Sequence, residues 1–248
     1  MRRLFTGMLA LAALATLTVA VCAQSPSRED ILKDIAAKRA ELQRLEDQFL
    51  APAEEDRAVF KELLAQSDTG LIRLLPREIY ESEMYKKNRK TLTIRGGGAY
   101  FSFTRLTHEY GYGSDLELQS GYLSVGFAGA DYGMMIDLGD VPLDEIGPDY
   151  PQVLSLVSYA AARDEAQARA EHREIQTGRI LYGATYKDRL PVKVNSTFLL
   201  RSINYGDSDV LVACRVARKD SDGSVIIAWK LLKKFPKPEL WRTNQAAN

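Results

Sequence analysis

Cysteine is scarce in this sequence, which has only Cys22 and Cys214 among its 248 residues. Cys22 falls in a predicted signal peptide, so the mature chain would keep Cys214 alone. A single cysteine cannot close an internal disulfide, even in an oxidising compartment. The fold must therefore depend on its hydrophobic core, and a chain that is 46% hydrophobic has enough material for one.

Long apolar runs are absent after the N-terminus. Two arginines at the start precede an apolar stretch from Leu9 to Ala20, and small residues around Ala23 form a cleavage site. This pattern is typical of a secretory signal peptide, which we assign to residues 1–23. Because no second apolar stretch of that kind follows, the sequence does not predict a membrane span in the mature chain. We expect a secreted or periplasmic protein that begins at Gln24.

Two other export signals resemble parts of this N-terminus. The pair Arg2-Arg3 resembles a twin-arginine signal, although no serine or threonine precedes it. Val19 to Cys22 resembles a lipoprotein box in which Cys22 would carry lipid, but Val21 stands where that box needs Gly, Ala or Ser. We therefore expect the general export route and a soluble mature protein rather than a lipid anchor.

Basic residues are nearly missing from Gly96 to Tyr150, where Arg105 is accompanied by nine aspartates and glutamates. An acidic region of this kind excludes nucleic acid as its partner, since phosphate binding needs clustered lysine and arginine. Basic residues gather instead near the end of the chain, between Lys230 and Arg242. Opposite charges on the two regions would favour their packing together or contact with an anionic surface.

Recognised catalytic and cofactor motifs are also missing: the sequence has no nucleophile elbow, zinc signature or nucleotide fingerprint. Asp68-Thr69-Gly70 matches the aspartic-protease tripeptide, but its position after a predicted helix favours a glycine cap. Asp220-Ser221-Asp222-Gly223 resembles the start of a calcium loop, yet it lacks the downstream glutamate, and Asp-Gly between two strands predicts a hairpin turn. The sequence therefore predicts neither a cofactor nor a metal.

After the predicted signal peptide, the sequence predicts a pair of helices over residues 24–67. The first helix opens with Ser27 and two acidic residues, which cap its N-terminus and complement its dipole. Its apolar side chains form a narrow stripe, typical of a helix that pairs with one neighbour or with its own copy. The stripe comprises Ile31, Ile35, Leu42 and Leu45. Self-association through this helix is therefore one predicted interaction.

A second helix is predicted from about Pro52 to Gln66, with Gly70 marking its end. It would bury Val59, Phe60, Leu63 and Leu64. Residues 68–90 are predicted to be a linker that contains one short buried run, Leu71 to Leu75. The glycine triplet at 96–98 indicates a bulge or turn, because a strand and not a helix follows it.

Residues 91–242 are predicted to form a β-rich domain with one inserted helix at about 151–176. The helix begins at Pro151, and its charged second half, which contains His172, is expected to extend into solvent. The most regular part is an antiparallel meander of three strands, 196–205, 210–219 and 224–235. Its alternation places Cys214 on an apolar face with three valines, as a core residue rather than a nucleophile. The predicted fold class is α+β, with the sheet either open or closing toward a barrel.

Three central strands, around 99–107, 115–119 and 122–127, alternate with period two. The inward set is Phe101, Phe103, Leu116, Leu118, Leu123, Val125 and Phe127. The opposite face would then carry tyrosine, hydroxyl and carboxylate groups exposed to solvent. Six residues of this region are the candidate ligand-binding residues: Tyr100, His108, Tyr110, Asp115, Glu117 and Tyr122.

Three interpretations of this polar face remain open. It is a plain solvated sheet surface, or a platform on which tyrosines stack against a sugar while carboxylates accept from its hydroxyls, or a hydrolase site that uses Asp115 and Glu117 as acid and base. The last would make the protein a hydrolase of cell-envelope polysaccharide. We expect the function to be non-catalytic binding of a glycan or another envelope component by an exported protein.

Overall fold

The computed structural model describes residues 27–80, 98–108, 113–127 and 129–241. The predicted signal peptide, Cys22 and Tyr110 lie outside these ranges. By its contacts the chain divides after Leu42 into two units. Of the first unit the structure describes residues 27–42, and residues 28–42 belong to a single helix. All sheets and all other helices described here belong to the second unit.

The helices are α1 (Arg28–Leu50), α2 (Glu54–Val59), α3 (Lys61–Leu64), α4 (Arg77–Tyr80), α5 (Pro151–Ser158) and α6 (Glu165–Thr177), with a 3₁₀ turn at Leu143–Glu145. The strands are β1 (Thr69–Leu74), β2 (Tyr100–Phe101), β3 (Leu116–Gln119), β4 (Tyr122–Ser124), β5 (Tyr132–Asp137), β6 (Arg179–Leu181), β7 (Ala184–Tyr186), β8 (Arg189–Pro191), β9 (Thr197–Asn204), β10 (Ser208–Lys219) and β11 (Val225–Lys234). The chain is α+β, as the sequence predicts.

A five-stranded antiparallel sheet in the order β1-β11-β10-β9-β5 forms the centre of the fold. Strands β9, β10 and β11 are the predicted meander. Both outer strands of this sheet are edges, and so are those of the second sheet, β2-β3-β4-β8. The described strands therefore form open sheets and one separate hairpin, β6-β7, and no closed barrel.

The large sheet is covered on both faces, which explains why every residue of β9 is buried. One face packs against the small sheet, through Phe101, Leu116, Leu118 and Leu123. The other face packs against α5 and α6, through Val153, Leu156, Ala168 and Ile175. Cys214 lies fully buried in the first of these cores with Val210, Val212 and Val216, as predicted.

The prediction of one continuous second helix is wrong, because this segment is broken at Phe60 into α2 and α3. Val59, predicted to be buried, is exposed, whereas Phe60, Leu63 and Leu64 pack against the helix-side core. Gly70 is not a helix cap, because the left-handed turn residue is Asp68, with φ 57°. Gly70 instead lies within β1, so part of the predicted linker is an edge strand of the large sheet.

The predicted helix at 151–176 is two helices. Helix α5 ends at Ser158, and α6 starts anew after Asp164, whose side chain accepts a hydrogen bond from the Gln167 N–H. The second half does not extend into solvent, because Ala168 and Ile175 are buried against the large sheet. The frequent charged residues along 163–174 concealed this narrow apolar contact.

Candidate functional site

Five of the six candidate ligand-binding residues lie in the described part of the chain, and the structure does not bring them together as one exposed face. Tyr100, Asp115 and Glu117 are buried, His108 is half-buried, and Tyr122 is exposed. Tyr110 lies outside the described residues, as do Glu109 and Tyr112. The environment of each residue depends on the elements that cover it.

Tyr100 and Glu117 do share a face, since they are partners across β2 and β3. The prediction that this face is solvated is wrong. Arg77 of α4 covers it: its Nη1 lies 3.0 Å from Glu117 Oε1, and its guanidinium carbon lies 5.6 Å from the centre of the Tyr100 ring. The Tyr100 ring also contacts Phe127 at 5.5 Å. Phe127, predicted to be inward, leaves the alternation because Gly126 has φ +72°.

Asp115 lies between the two sheets and not on the outward face. It precedes the first residue of β3, so the alternation of that strand does not set its direction. Its carboxylate accepts hydrogen bonds from the Phe103 N–H at 2.8 Å and from Asn204 Nδ2 at 2.9 Å. Burial raises the pKa of Asp115 to about 6, against the opposing effect of these hydrogen bonds and one from Ser202.

Tyr122 is the one member of the predicted tyrosine set that is described and exposed, with 39% of its surface accessible. The Arg189 guanidinium lies 4.3 Å from its ring centre, which covers one face of the ring. A single ring with one free face offers less stacking area than the platform that the sequence predicts.

His108 lies on the other side of the small sheet. Its Nε2 is 2.7 Å from the Arg73 carbonyl oxygen, and because a carbonyl can only accept, Nε2 carries the proton. Its ring contacts the Phe101 ring edge-on at 5.1 Å. Burial lowers the pKa of His108, so the imidazole is neutral at pH 7.

His108 lines a cleft of about 380 Å³. We call it the Trp229 cleft, after the largest residue in it. Three parts of the chain contribute: the end of α1 through α3, strand β1 with its neighbour β11, and the turn after β2. Its lining residues are Asp47, Leu50, Ala51, Pro52, Arg57, Leu64, Thr69, Gly70, Leu71, Ile72, Phe101, Leu106, His108 and Trp229. A mostly apolar cleft of this size with a few polar groups is the usual form of a small-ligand site.

Trp229 is the functional candidate that sequence reasoning missed. It is only 4% exposed, and among the described residues its indole Nε1 has no hydrogen-bond acceptor. A buried indole N–H normally has a partner, since leaving one unpaired costs about 1–3 kcal/mol. In sequence Trp229 is one apolar residue in an apolar strand, and only its position beside Gly70 across the β1–β11 pair distinguishes it.

A second, more polar cleft of about 330 Å³ lies around His172. The prediction that His172 is solvated is wrong: its side chain is 23% exposed, and its Nε2 lies 3.5 Å from Asp188 Oδ2. Gln176 and Arg189 also line this cleft. His172 and Asp188 form an ordinary partly buried pair between α6 and the segment before β8.

Within the ranges that the structure covers, no group of three or more His, Cys, Asp or Glu residues is placed to hold a metal ion. The helices among those residues are likewise too short or too polar to cross a membrane. Comparison with known proteins finds no matching family model, no matching curated protein and no matching solved structure.

Proposed function

We propose that this chain is an exported, non-catalytic binding protein whose ligand lies in the Trp229 cleft. The unpaired indole N–H of Trp229 carries the proposal. It points to a ligand with an apolar body, which fills the space between Phe101, Leu106 and Leu50, and a hydrogen-bond acceptor, which pairs with Nε1. The neutral His108 ring adds no charge to the cleft and offers it no donor, because its one ring N–H is held by the Arg73 carbonyl.

The alternative, hydrolysis of envelope polysaccharide by Asp115 and Glu117, has less support. An acid and a base must both reach the substrate. Asp115 is inaccessible between the sheets and holds hydrogen bonds from Phe103 and Asn204, and Glu117 pairs with Arg77. We therefore give both carboxylates structural roles.

A glycan is the second candidate ligand, and the exposure of Tyr122 is the observation that favours it. A sugar could lie on the free face of this ring while Arg189 supports the other face. Retention on immobilised envelope polysaccharide tests this candidate. Loss of retention in Tyr122→Ala would support glycan binding, and retention of the variant equal to that of the wild type would contradict it.

The cleft ligand can be followed through tryptophan fluorescence. The chain has two tryptophans, so Trp241→Phe leaves Trp229 as the only one. Titration of this variant with the neutral apolar dye N-phenyl-1-naphthylamine should give saturable quenching of Trp229. Adding Leu106→Arg, which places a charge in the cleft at a residue that is already exposed, should weaken binding by about tenfold or more.

Ile180→Arg is the matched control, since Ile180 is equally apolar and exposed but lies on the β6–β7 hairpin, away from the lining of the cleft. It should bind the dye as well as its parent. The proposal fails if the dye does not saturate, or if Leu106→Arg and Ile180→Arg have the same affinity.

Export is part of the proposal and rests on residues 1–23 of the sequence. Expression with the native leader, followed by fractionation and intact-mass measurement, should give a mature chain that begins at Gln24. A diacylglycerol-modified Cys22 at the N-terminus would instead make the protein an anchored lipoprotein.

We also propose self-association through the apolar stripe of α1. Ile31, Ile35 and Leu42 are each more than a third exposed, which is unusual for a repeated stripe on one side of a helix. Sedimentation equilibrium should show an oligomer that Ile35→Glu dissociates, whereas Lys33→Glu, on the opposite side of the same helix, should not. A wild-type monomer at high concentration would contradict this proposal.

A further inference from the structure

Strand β1 is an edge of the large sheet, and its backbone groups alternate between β11 and the opposite side. Three hydrogen bonds fix which residues point outward. The Leu231 N–H donates to the Asp68 carbonyl on the β11 side. The Arg73 carbonyl accepts from His108, and the Leu75 N–H donates to the Gly98 carbonyl, both on the outer side. The N–H and C=O of Leu71, two residues before Arg73, must therefore also point outward.

Leu71 lines the Trp229 cleft. In the described ranges neither its N–H nor its C=O meets a hydrogen-bonding partner, unlike the Arg73 carbonyl and the Leu75 N–H. Leu71 is only 8% exposed, so bulk water has limited access to it. Unpaired backbone groups on a sheet edge are the template to which another strand adds.

The indole N–H of Trp229 is a second unpaired donor in the same cleft. Trp229 and Leu71 thus supply two unpaired donors and one unpaired acceptor among the residues that line the cleft. An extended peptide supplies the matching set, because each residue carries one N–H and one C=O with the spacing of a strand. A hydrocarbon or lipid chain would leave all three groups unpaired.

We propose that the cleft binds an extended peptide segment, which adds to β1 as a further strand and pairs one residue with the N–H and C=O of Leu71. This rests on the proposed binding function and names its ligand class. The residue opposite Leu71 turns its side chain toward the helix side of the sheet, where Leu71 itself packs. Its two neighbours turn toward the face of Gly70 and Ile72, beside Trp229 and Phe101, and should be apolar or aromatic.

Selection of a random heptapeptide library on the Trp241→Phe protein, with counter-selection on the additional Leu106→Arg variant, identifies a probe. The enriched peptide should have apolar residues at alternate positions. Single N-methylation along that peptide then tests the backbone pairing. Because the residue opposite Leu71 turns its N–H toward the Leu71 carbonyl while its two neighbours turn theirs away, methylation should weaken binding by about tenfold at that residue and by less than about twofold at the neighbours.

Amide exchange gives an independent readout: the Leu71 N–H should become protected when the peptide binds and not when the dye binds. Binding of the dye without enrichment of any peptide, or uniform tolerance of N-methylation, would overturn the peptide proposal and leave the binding function intact. Absence of saturable binding by both dye and peptides would overturn both.

Discussion

The indole of Trp229 lies directly over the α-carbon of Gly70: a methyl group at Gly70 would come within 2.5 Å of the ring. The two residues face each other across the β1–β11 pair. The absence of a side chain at position 70 is therefore what allows a tryptophan to occupy the base of the cleft.

Gly70→Ala should destabilise the protein by about 1–3 kcal/mol, because the buried ring must shift to admit the methyl group. It should also change the fluorescence of Trp229 and weaken dye binding in the cleft. Urea denaturation measures the first effect. Gly147→Ala is the control, since no atom lies within 4 Å of the added methyl group there, and its stability should change by less than about 0.5 kcal/mol. Equal stability of the two variants would contradict the prediction.

The pH dependence of stability should report Asp131. Burial raises the pKa of Asp131 to about 6, while its Oδ1 accepts a hydrogen bond from the Tyr205 N–H. A raised folded-state pKa means that the native protein binds a proton more tightly than the unfolded chain. The contribution of this group to stability is therefore full below about pH 4, and it is lost as the pH rises through 6.

Asp131→Asn keeps an acceptor for Tyr205 and removes the titration. The unfolding free energy of the variant should fall less between pH 4.5 and 7.5 than that of the wild type, by about 1–3 kcal/mol. Asp144→Asn, at an exposed carboxylate, should leave the wild-type slope unchanged. Parallel pH profiles for Asp131→Asn and the wild type would refute the assignment.

The Asp222-Gly223 turn should depend on glycine and not on calcium. Gly223 has φ +88°, and its N–H donates to the Asp220 carbonyl at 3.0 Å. Gly223→Val should cost about 1–3 kcal/mol, since a β-branched residue is strained at positive φ. Asp220→Asn should cost less, because its side chain pairs with a partly exposed Arg218. A melting temperature that rises with calcium and depends on Asp220 would reverse this ranking.

The ion pair of Arg201 and Asp209 is buried, with both side chains 3% exposed. The pair is bidentate, at 2.8 and 2.7 Å, and the remaining guanidinium nitrogen donates to the Leu156 and Tyr159 carbonyls. Asp209→Ala should therefore cost about 3–5 kcal/mol, because it leaves a buried charge without its partner. Arg169→Ala, which breaks an exposed pair with Glu165, should cost less than about 1 kcal/mol. Equal losses in chemical denaturation would contradict this account.

Local patterns in the sequence were sufficient for the meander. Strands β9, β10 and β11 have alternating or continuous apolar residues, and Asp-Gly and Gly-Asp segments separate them, so both the strands and their turns are encoded within a few residues. The core position of Cys214 followed from the same alternation. The predicted helix at 151–176 shows the limit of such patterns. Its break at Tyr159 accompanies a tertiary contact, in which the Tyr159 carbonyl accepts a hydrogen bond from Arg201, and no glycine or proline marks the break in the sequence.

In the candidate site, too, local patterns predicted some features and missed others. Period-two alternation correctly put Tyr100 and Glu117 on one face, but it could not say that Arg77, 40 residues before Glu117, covers that face. Asp115 lies outside its strand and reaches Asn204, 89 residues away. The sequence by itself determined the three meander strands, their turns and the shared face of Tyr100 and Glu117, because these depend on neighbouring residues. Only the tertiary structure decided which face is buried and that Gly70, Leu71 and Trp229 meet in a cleft, because these depend on segments that are distant in the chain.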